Sequence, residues 1–448
     1  MSSPVASTPK HTGGDWLESW DPEDAHSWDS RRAWKTLWIT TFNLTLAFVT
    51  WFLVSALAPI LNSIGFDLSK GQLYWLAAMP GLAGGSLRLV WMFLPPILGT
   101  RKLVWLSSAL MLVPIVGWAL AVQNPDTSFA VLMLLAAMAG VGGGVFSGFM
   151  PSTSFWFPKA KQGTALGIQA GIGNFGVSLV QFVTPWVVGF SMLAVLGASQ
   201  TFSNPEKGIE KQVWYQNAGY IWVPFVVVGV ILAYTMLKSV PVKARGVKEQ
   251  LDIFGNKHTW LMTLLYIITF GTFSGLAAQF ALLIKNYYGT PFGADAVNPA
   301  QYAFYGALIG SAARVLAGPI ADRVGGARVT LVAIVGIGAS ALFTSFQLSP
   351  TSADQFPAFF WGMIAIFFFT GVGNASTFKQ MPMIFEPRQA GGVIGWTAAI
   401  AAFGPFVFGV MFATGNTQLL YWLGTFTCLI GAVVTWYYYA RAGAEKPS

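Results

Sequence analysis

The sequence is poor in charge. Only 9% of its 448 residues are Asp, Glu, Lys or Arg, against about a quarter in soluble domains. With 54% hydrophobic residues and a mean hydropathy of +0.59, that shortage excludes an ordinary soluble globular protein and implies a polytopic membrane protein. Cysteine is nearly absent. Cys428 stands alone in the last apolar stretch, so no intrachain disulfide can form and thiol chemistry is not expected. The only histidines, His11, His26 and His258, lie outside the apolar stretches. No Walker motif, no cluster of metal-ligand types and no nucleophile–base pattern is visible, so no enzyme activity, cofactor or metal is expected. Residues 1–35 are polar and acidic, without the apolar core of a cleavable signal.

What is there is apolar sequence in span-sized pieces. Stretches of about 20 apolar residues cross a bilayer as helices. Spans are expected at about 36–62, 72–96, 102–122, 130–157, 164–195, 217–237, 259–284, 299–321, 329–348, 356–385, 391–413 and 418–440. The expected fold class is therefore all-α integral membrane, with twelve transmembrane helices. The division is a tail at 1–35, a six-helix half at 36–237, a linker at 238–258, a second six-helix half at 259–440 and a short tail at 441–448.

Charge placement gives orientation. Of the 25 Lys and Arg, 18 lie in the tails and in loops on their side of the membrane. Four (Lys70, Lys207, Lys211 and Lys285) lie on the other side, and three (Arg88, Arg314 and Lys379) fall inside spans. Positive residues stay on the cytoplasmic side, so both termini are expected there, in a multi-pass protein of the cell membrane. The net charge of +8 then reflects topology, and nucleic acid is not implied as a partner. None of the 17 acids lies in the middle of a span, Asp322 and Glu386 coming nearest at the cytoplasmic ends. The membrane interior holds positive charge with no acid or imidazole.

Two arginines stand out against that background. Arg88 lies in LAAMPGLAGGSLRLVWMFL and Arg314 in YGALIGSAARVLAGP. An unpaired arginine at bilayer depth costs about 2.5–3.5 kcal/mol on insertion scales, which makes it a functional-site hypothesis. Two such residues point to an anion site. They belong to a repeat. Gly99 and Gly325 each follow their arginine by 11 residues, Gly140-Val141-Gly142 returns as Gly371-Val372-Gly373, Met150-Pro151 as Met381-Pro382, and Gly167 matches Gly395. Six spans per half give both halves the same orientation, related by an axis along the membrane normal, with the site at the midplane between them.

Glycines and polar residues mark the seams. Gly163, Gly167 and Gly171 recur every fourth residue, a small-residue stripe that lets helices approach closely. Gly171-x-Gly173-x-x-Gly176 matches a dinucleotide fingerprint only by chance, since no strand precedes it and no acid follows at the required distance. Asn174 lies in the same stripe and reads either as a cavity residue or as an interhelical hydrogen bond. Asn43-Leu44-Thr45 and Asn374-Ala375-Ser376 fit glycosylation acceptors but lie inside spans. Gly318 to Arg328, GPIADRVGGAR, resembles the loop signature of the major facilitator superfamily. Asp322, Arg323 and Arg328 would form a latch between the halves at the cytoplasmic face. The matching Gly99-Thr100-Arg101-Lys102 has lost the acid, so the latch is expected to be asymmetric.

A closer resemblance runs nearly end to end. The segment from Gly140 to Gln181, with FWFPKAKQGTALG and GIGNFGVS, is similar to the first signature of the nitrate/nitrite porter (NarK-type) family of the major facilitator superfamily. Gly371 to Phe378, GVGNASTF, resembles the second. Trp20 to Asp24, Leu264-Leu265-Tyr266 through Phe270, and both arginine segments extend the likeness. It implies the major facilitator fold, a monomeric carrier of nitrate and nitrite in the lipid bilayer, and a role in nitrate assimilation. It also implies that Arg88 and Arg314 clamp the anion, with Asn174, Tyr266, Phe48, Phe146 and Phe270 around it. Lys379 replaces the family's usual Gln. It reads either as a cavity residue near the exit or as a snorkelling lysine paired with Glu386. Gly171 and Gly395 are candidates for the cavity or its gate.

The mechanism follows from charge. Guanidinium is planar, permanently charged and carries a fork of donors suited to a flat oxyanion. An empty site would be two like charges without a partner, so the loaded carrier should reorient more easily than the empty one. Nitrate/nitrite exchange is the expected mode. Proton symport, a porter for another small anion such as an organic phosphate or carboxylate, and a transporter-like anion receptor are the alternatives.

Overall fold

The computed structural model describes residues 14–26, 28–191, 196–204, 207–241 and 251–448. The middle of the expected linker, 242–250, lies outside them, as does the expected end of the fifth span at 192–195.

Twelve helical spans run in order. The first is Ser30–Leu57, prolonged by a 3-10 turn Ala58–Ile64. The second is Lys70–Trp91 and the third Pro95–Ala121. The fourth is broken into Phe129–Ala139, Val141–Gly144 and Phe146–Ser154. The fifth is Lys159–Val187, and the sixth Asn217–Tyr220 with Val223–Met236. The seventh runs from Lys257–Tyr266 to Thr272–Ile284, with wider π-turns at Ile267–Gly271 and Lys285–Gly289. The eighth is Ala303–Val324, the ninth Gly326–Ser345 and the tenth Phe356–Ile384. The eleventh is Pro387–Ala401 with Gly404–Ala413, and the twelfth Thr417–Thr435.

Local chemistry fixes many of these ends. Asp29, Ser128 and Asn256 cap the first, fourth and seventh spans by accepting from backbone N–H groups, and Ser69 forms a reciprocal capping box with Gln72. Among the described residues, eleven helices are long and apolar enough to cross a membrane. The second span is not among them, because Gly81, Gly84, Gly85, Ser86 and Arg88 dilute its apolar character. It is nevertheless enclosed by the first, fourth and eleventh spans.

The sequence repeat is a structural repeat. Gly140 packs on Gly84, where an added Cβ would meet the Gly84 nitrogen at 2.8 Å. Gly371 packs on Gly310, where a Cβ would meet its carbonyl at 2.1 Å. Gly84 and Gly310 each precede their arginine by one helical turn. The halves meet along two seams, the second span against the eleventh and the fifth against the eighth.

Three features differ from expectation. The fifth helix stops at Val187, not near 195. Past it the chain forms a hairpin of β1 (Gln200–Asn204) and β2 (Ile209–Val213), in which Gln200 pairs with Val213. Its mostly exposed residues carry no strong apolar signal. Third, the tail before the first span is a packed strap. Leu17 N donates to Ser239 O, and Ser239 N to Asp15 O, at 2.8 Å each. The Trp20 and Trp28 indoles donate to the carbonyls of Phe155 and Trp156. Beneath them Ala33, Leu37, Trp156, Phe157, Ala165 and Val240 form a small second core.

Candidate functional site

Arg88 is completely buried. Its Nε donates to Gly143 O at 2.8 Å and its Nη1 to Ala398 O at 2.7 Å, while Nη2 has no partner. The break in the fourth span at Gly140–Gly144 brings that carbonyl within reach, because glycine allows close backbone approach. The guanidinium lies over Phe146 at 4.5 Å, and over Trp51 and Phe270 at 5.2 Å each. Rings facing a guanidinium offset part of the cost of burying its charge.

Arg314 is almost as deeply buried, at 4% exposure. Its guanidinium lies 5.1 Å from the Phe378 ring. With the Asn174 amide oriented to satisfy its neighbours, Asn174 Oδ1 accepts from Arg314 Nη1 at 3.0 Å and Nδ2 donates to Ala170 O at 3.3 Å. Asn174 thus bonds across the fifth–eighth seam to the arginine, uniting its two sequence readings. The Tyr266 hydroxyl is buried near both guanidinium groups and makes no hydrogen bond of normal geometry. Among the described residues no carboxylate pairs with either arginine.

The aromatic residues expected around the anion lie together. Phe146 is 6.2 Å from Phe48 and 6.4 Å from Phe270, and Tyr266 stacks on Phe270 at 5.4 Å. Two further rings belong to the cluster and were missed from sequence. Phe378 lies 5.0 Å from Tyr266, and Trp51 5.6 Å from Phe48. Trp51 also anchors the second span, donating to Pro80 O at 2.8 Å. Both carry a legible signal in hindsight. Trp51 follows Phe48 by three residues, on the same helical face, and Phe378 closes the second signature.

The gating and latch residues fall elsewhere. Gly171 packs against Val315, where a Cβ would lie 2.6 Å from Cγ2. Gly395 faces Met92 of the other half, where an added Cβ would lie 3.5 Å from Cε. Gly163 and Gly167 face open space, as does Gly318 on the facing span. So the expected close packing starts only at Gly171, because the fifth and eighth spans are parted toward the face that carries the termini. On the opposite face the halves are closed. There Phe182 meets Phe304 at 5.0 Å and Trp75 meets Phe406 at 5.9 Å. Gln181 Nε2 donates to Ala277 O at 2.8 Å.

Lys379 takes a partner the sequence did not indicate. It forms an ion pair with Asp322, joining the tenth span to the eighth within one half. The expected pairing with Glu386 gives way because Asp322 ends the neighbouring helix. Asp322 therefore bonds inside the second half rather than across to the first, and Arg323 and Arg328 form no ion pair among the described residues. In the first half the missing acid is supplied from a distance. Arg101 pairs with Asp15 of the tail, and Gly99, at φ 70°, lies under Ser239 and Trp16.

Comparison with known proteins places this arrangement. Residues 40–401 match the Major Facilitator Superfamily. The inward-open xylose transporter XylE from E. coli shares the fold at a TM-score of 0.66, with 14% identity over 90% of this chain and 96% of that one. A probable nitrate/nitrite antiporter NarK2 of Thermus thermophilus is 59% identical over 98% of this chain and 99% of its own length. The chain belongs to the nitrate/nitrite porter family of that superfamily. The nitrate/nitrite transporter NarU of Escherichia coli, 36% identical over 83% of this chain and 79% of its own, is a further relative of the porter. Membership makes it a multi-pass carrier of two six-helix halves, not an enzyme.

Proposed function

We propose that this porter exchanges nitrate and nitrite across the cytoplasmic membrane by alternating access, with Arg88 and Arg314 holding the anion between the halves. The observation that carries the reading is a pair of buried guanidinium groups in one aromatic cluster, with no carboxylate paired to either among the described residues. A monovalent oxyanion supplies the missing charge. Arg88 Nη2 and the Tyr266 hydroxyl are two donors without partners, and Asn174 orients a third group, Arg314. The rings Phe48, Phe146, Phe270 and Phe378 favour a flat ion over a tetrahedral one. The relatives named as nitrate/nitrite carriers support the same substrate, and the antiporter among them supports exchange.

The parted seam with Gly163 and Gly167 belongs to a state parted toward the termini while both arginines stay enclosed. With Lys and Arg concentrated on that face, it is the cytoplasmic face. One chain supplies every group of the site, which fits a monomeric carrier. Exchange follows from charge. Without an anion, two cations remain in a low-dielectric site, held only by carbonyls, an amide and rings, so closing the empty carrier is disfavoured. Counterflow in proteoliposomes tests the proposal. Labelled nitrate should enter rapidly when nitrite or nitrate is inside and slowly when no anion is inside. Rapid uptake into anion-free vesicles under a pH gradient would replace exchange with proton symport.

A further inference from the structure

Two lysines on the face remote from the termini sit on the seam between the halves, away from the arginines. Lys285 opens the π-turn Lys285–Gly289 at the end of the seventh span. Its Nζ donates to the carbonyl of Pro59, where the first span of the other half ends. Lys70 begins the second span and lies 5.4 Å from the Tyr287 ring. Between them Asn286 Nδ2 donates to the Tyr74 hydroxyl at 3.1 Å, again from one half to the other. Neither lysine has a carboxylate within ion-pair distance among the described residues. Lys285 is partly buried, so its charge rests on one neutral carbonyl.

That carbonyl bond lasts only while this face is closed. When the halves part here, the Pro59 carbonyl moves away with the first span and the Lys285 ammonium turns to the mouth of the opened path. We propose that Lys285, assisted by Lys70, then forms an outer capture site for a small monovalent oxyanion, which hands the ion on to Arg88 and Arg314. The inference rests on the anion-exchange reading of the central site and adds a second, transient station to it.

The residue types fit the two stations. A lysine is a compact, strongly hydrated point charge with rotatable donors, suited to brief and unselective attraction. An arginine fork reads planar geometry, as the central site requires. Closure then becomes a competition. Lys285 regains Pro59 only after releasing the anion inward, so the bond that shuts this face follows loading of the centre. A cation at the mouth of a low-dielectric path also raises the local anion concentration, an effect that salt screens.

The test compares the full-length protein in right-side-out and inside-out membrane vesicles, with labelled nitrate as the probe. Lys285→Met should raise KM for nitrate presented at the lysine-bearing face by about tenfold, within the range of electrostatic focusing. KM at the opposite face should stay unchanged. Lys285→Arg should restore most of the loss, and the wild-type advantage should shrink as an inert salt is raised. Monodisperse elution and an unchanged thermal midpoint of the detergent-solubilised Lys285→Met protein serve as the folding control. An unchanged KM at the lysine-bearing face would overturn the capture site, as would an equal rise at both faces. Leak of nitrate with unchanged KM would also overturn it, leaving Lys285 as a closure bond only. Absence of nitrate exchange in the wild-type protein is a different result, and would remove the central reading itself.

Discussion

Arg88 Nη1 donates to the main-chain carbonyl of Ala398 at 2.7 Å, binding the guanidinium of the first half to the eleventh span of the second. Its Nε is committed to Gly143 within its own half, and only Nη2 is free. The charge proposed to hold the anion is therefore also part of the seam. An anion on Nη2 strengthens a junction that already spans both halves, which couples occupancy to closure without any titrating group.

Replacing Arg88 by Lys keeps the charge and loses the fork. An ammonium cannot hold Gly143 O, Ala398 O and an oxyanion in one plane. Hydrogen bonds to charged groups contribute about 1.5–3 kcal/mol each, so loss of one anion contact alone weakens binding by about tenfold or more. Arg88→Lys is expected to bind nitrate 10- to 100-fold more weakly in titration calorimetry, by about those factors. Arg314→Lys, which loses the Asn174 bond, should behave alike. Near-normal affinity in either variant would remove that arginine from the site.

Gly167 faces open space in this structure while Gly171, one turn away, already touches Val315. The stripe is thus half used. Its other half is available for the state closed toward the termini, in which the fifth and eighth spans come together. Gly167→Leu should leave stability nearly unchanged, within about 0.5 kcal/mol as for surface substitutions. It should keep nitrate binding in detergent and abolish counterflow. Wild-type counterflow would show that this part of the stripe does not close.

The proposed central site was largely legible because membranes make charge conspicuous. Two unpaired arginines in apolar helices could be found by inspection, and the repeat joined them. The cluster of Phe48, Phe146, Tyr266 and Phe270 came from family likeness, whereas Phe378 and Trp51 were hidden among 36 Phe and 19 Trp residues. Aromatic residues are common in spans, and only tertiary placement separates a cavity ring from a lipid-facing one. Long-range pairings were the least legible. Lys379 chose Asp322, 57 residues away, over nearby Glu386. The hairpin 200–213 has too few apolar residues to announce itself, and the tail was expected only as a polar, acidic segment.

The tail carries its own prediction. Asp15 restores to Arg101 the acid that the first-half loop lacks, with side chains 30% and 16% exposed. A partly exposed ion pair of this kind contributes about 1 kcal/mol. Asp15→Asn should therefore undock the strap by a factor of about five, the equivalent of that energy. Limited proteolysis within residues 14–29 would read the change as faster cleavage, with Arg101→Gln giving the same rate and the double variant no further increase. Additive effects would show that the two residues act separately.

Nitrate/nitrite exchange should be nearly independent of pH between about 6 and 8. The proposed anion site contains no carboxylate or imidazole, and arginine stays protonated throughout this range. Outside the spans, the Glu445 carboxyl is held below its usual range, first by its hydrogen bond to Lys257 and also by His258. A carboxyl with a depressed folded pKa contributes stability above its unfolded pKa, near 4 for a glutamate, and loses it as pH falls through the lower folded value. The Glu445 part of that tie, between the C-terminal segment and the start of the seventh span, therefore persists from pH 6 to 8 and is lost only below the ordinary glutamate range. A flat counterflow profile over this window is the expected result. A several-fold change in exchange rate per pH unit would require a proton-carrying group in the transport cycle and would favour coupled symport over exchange.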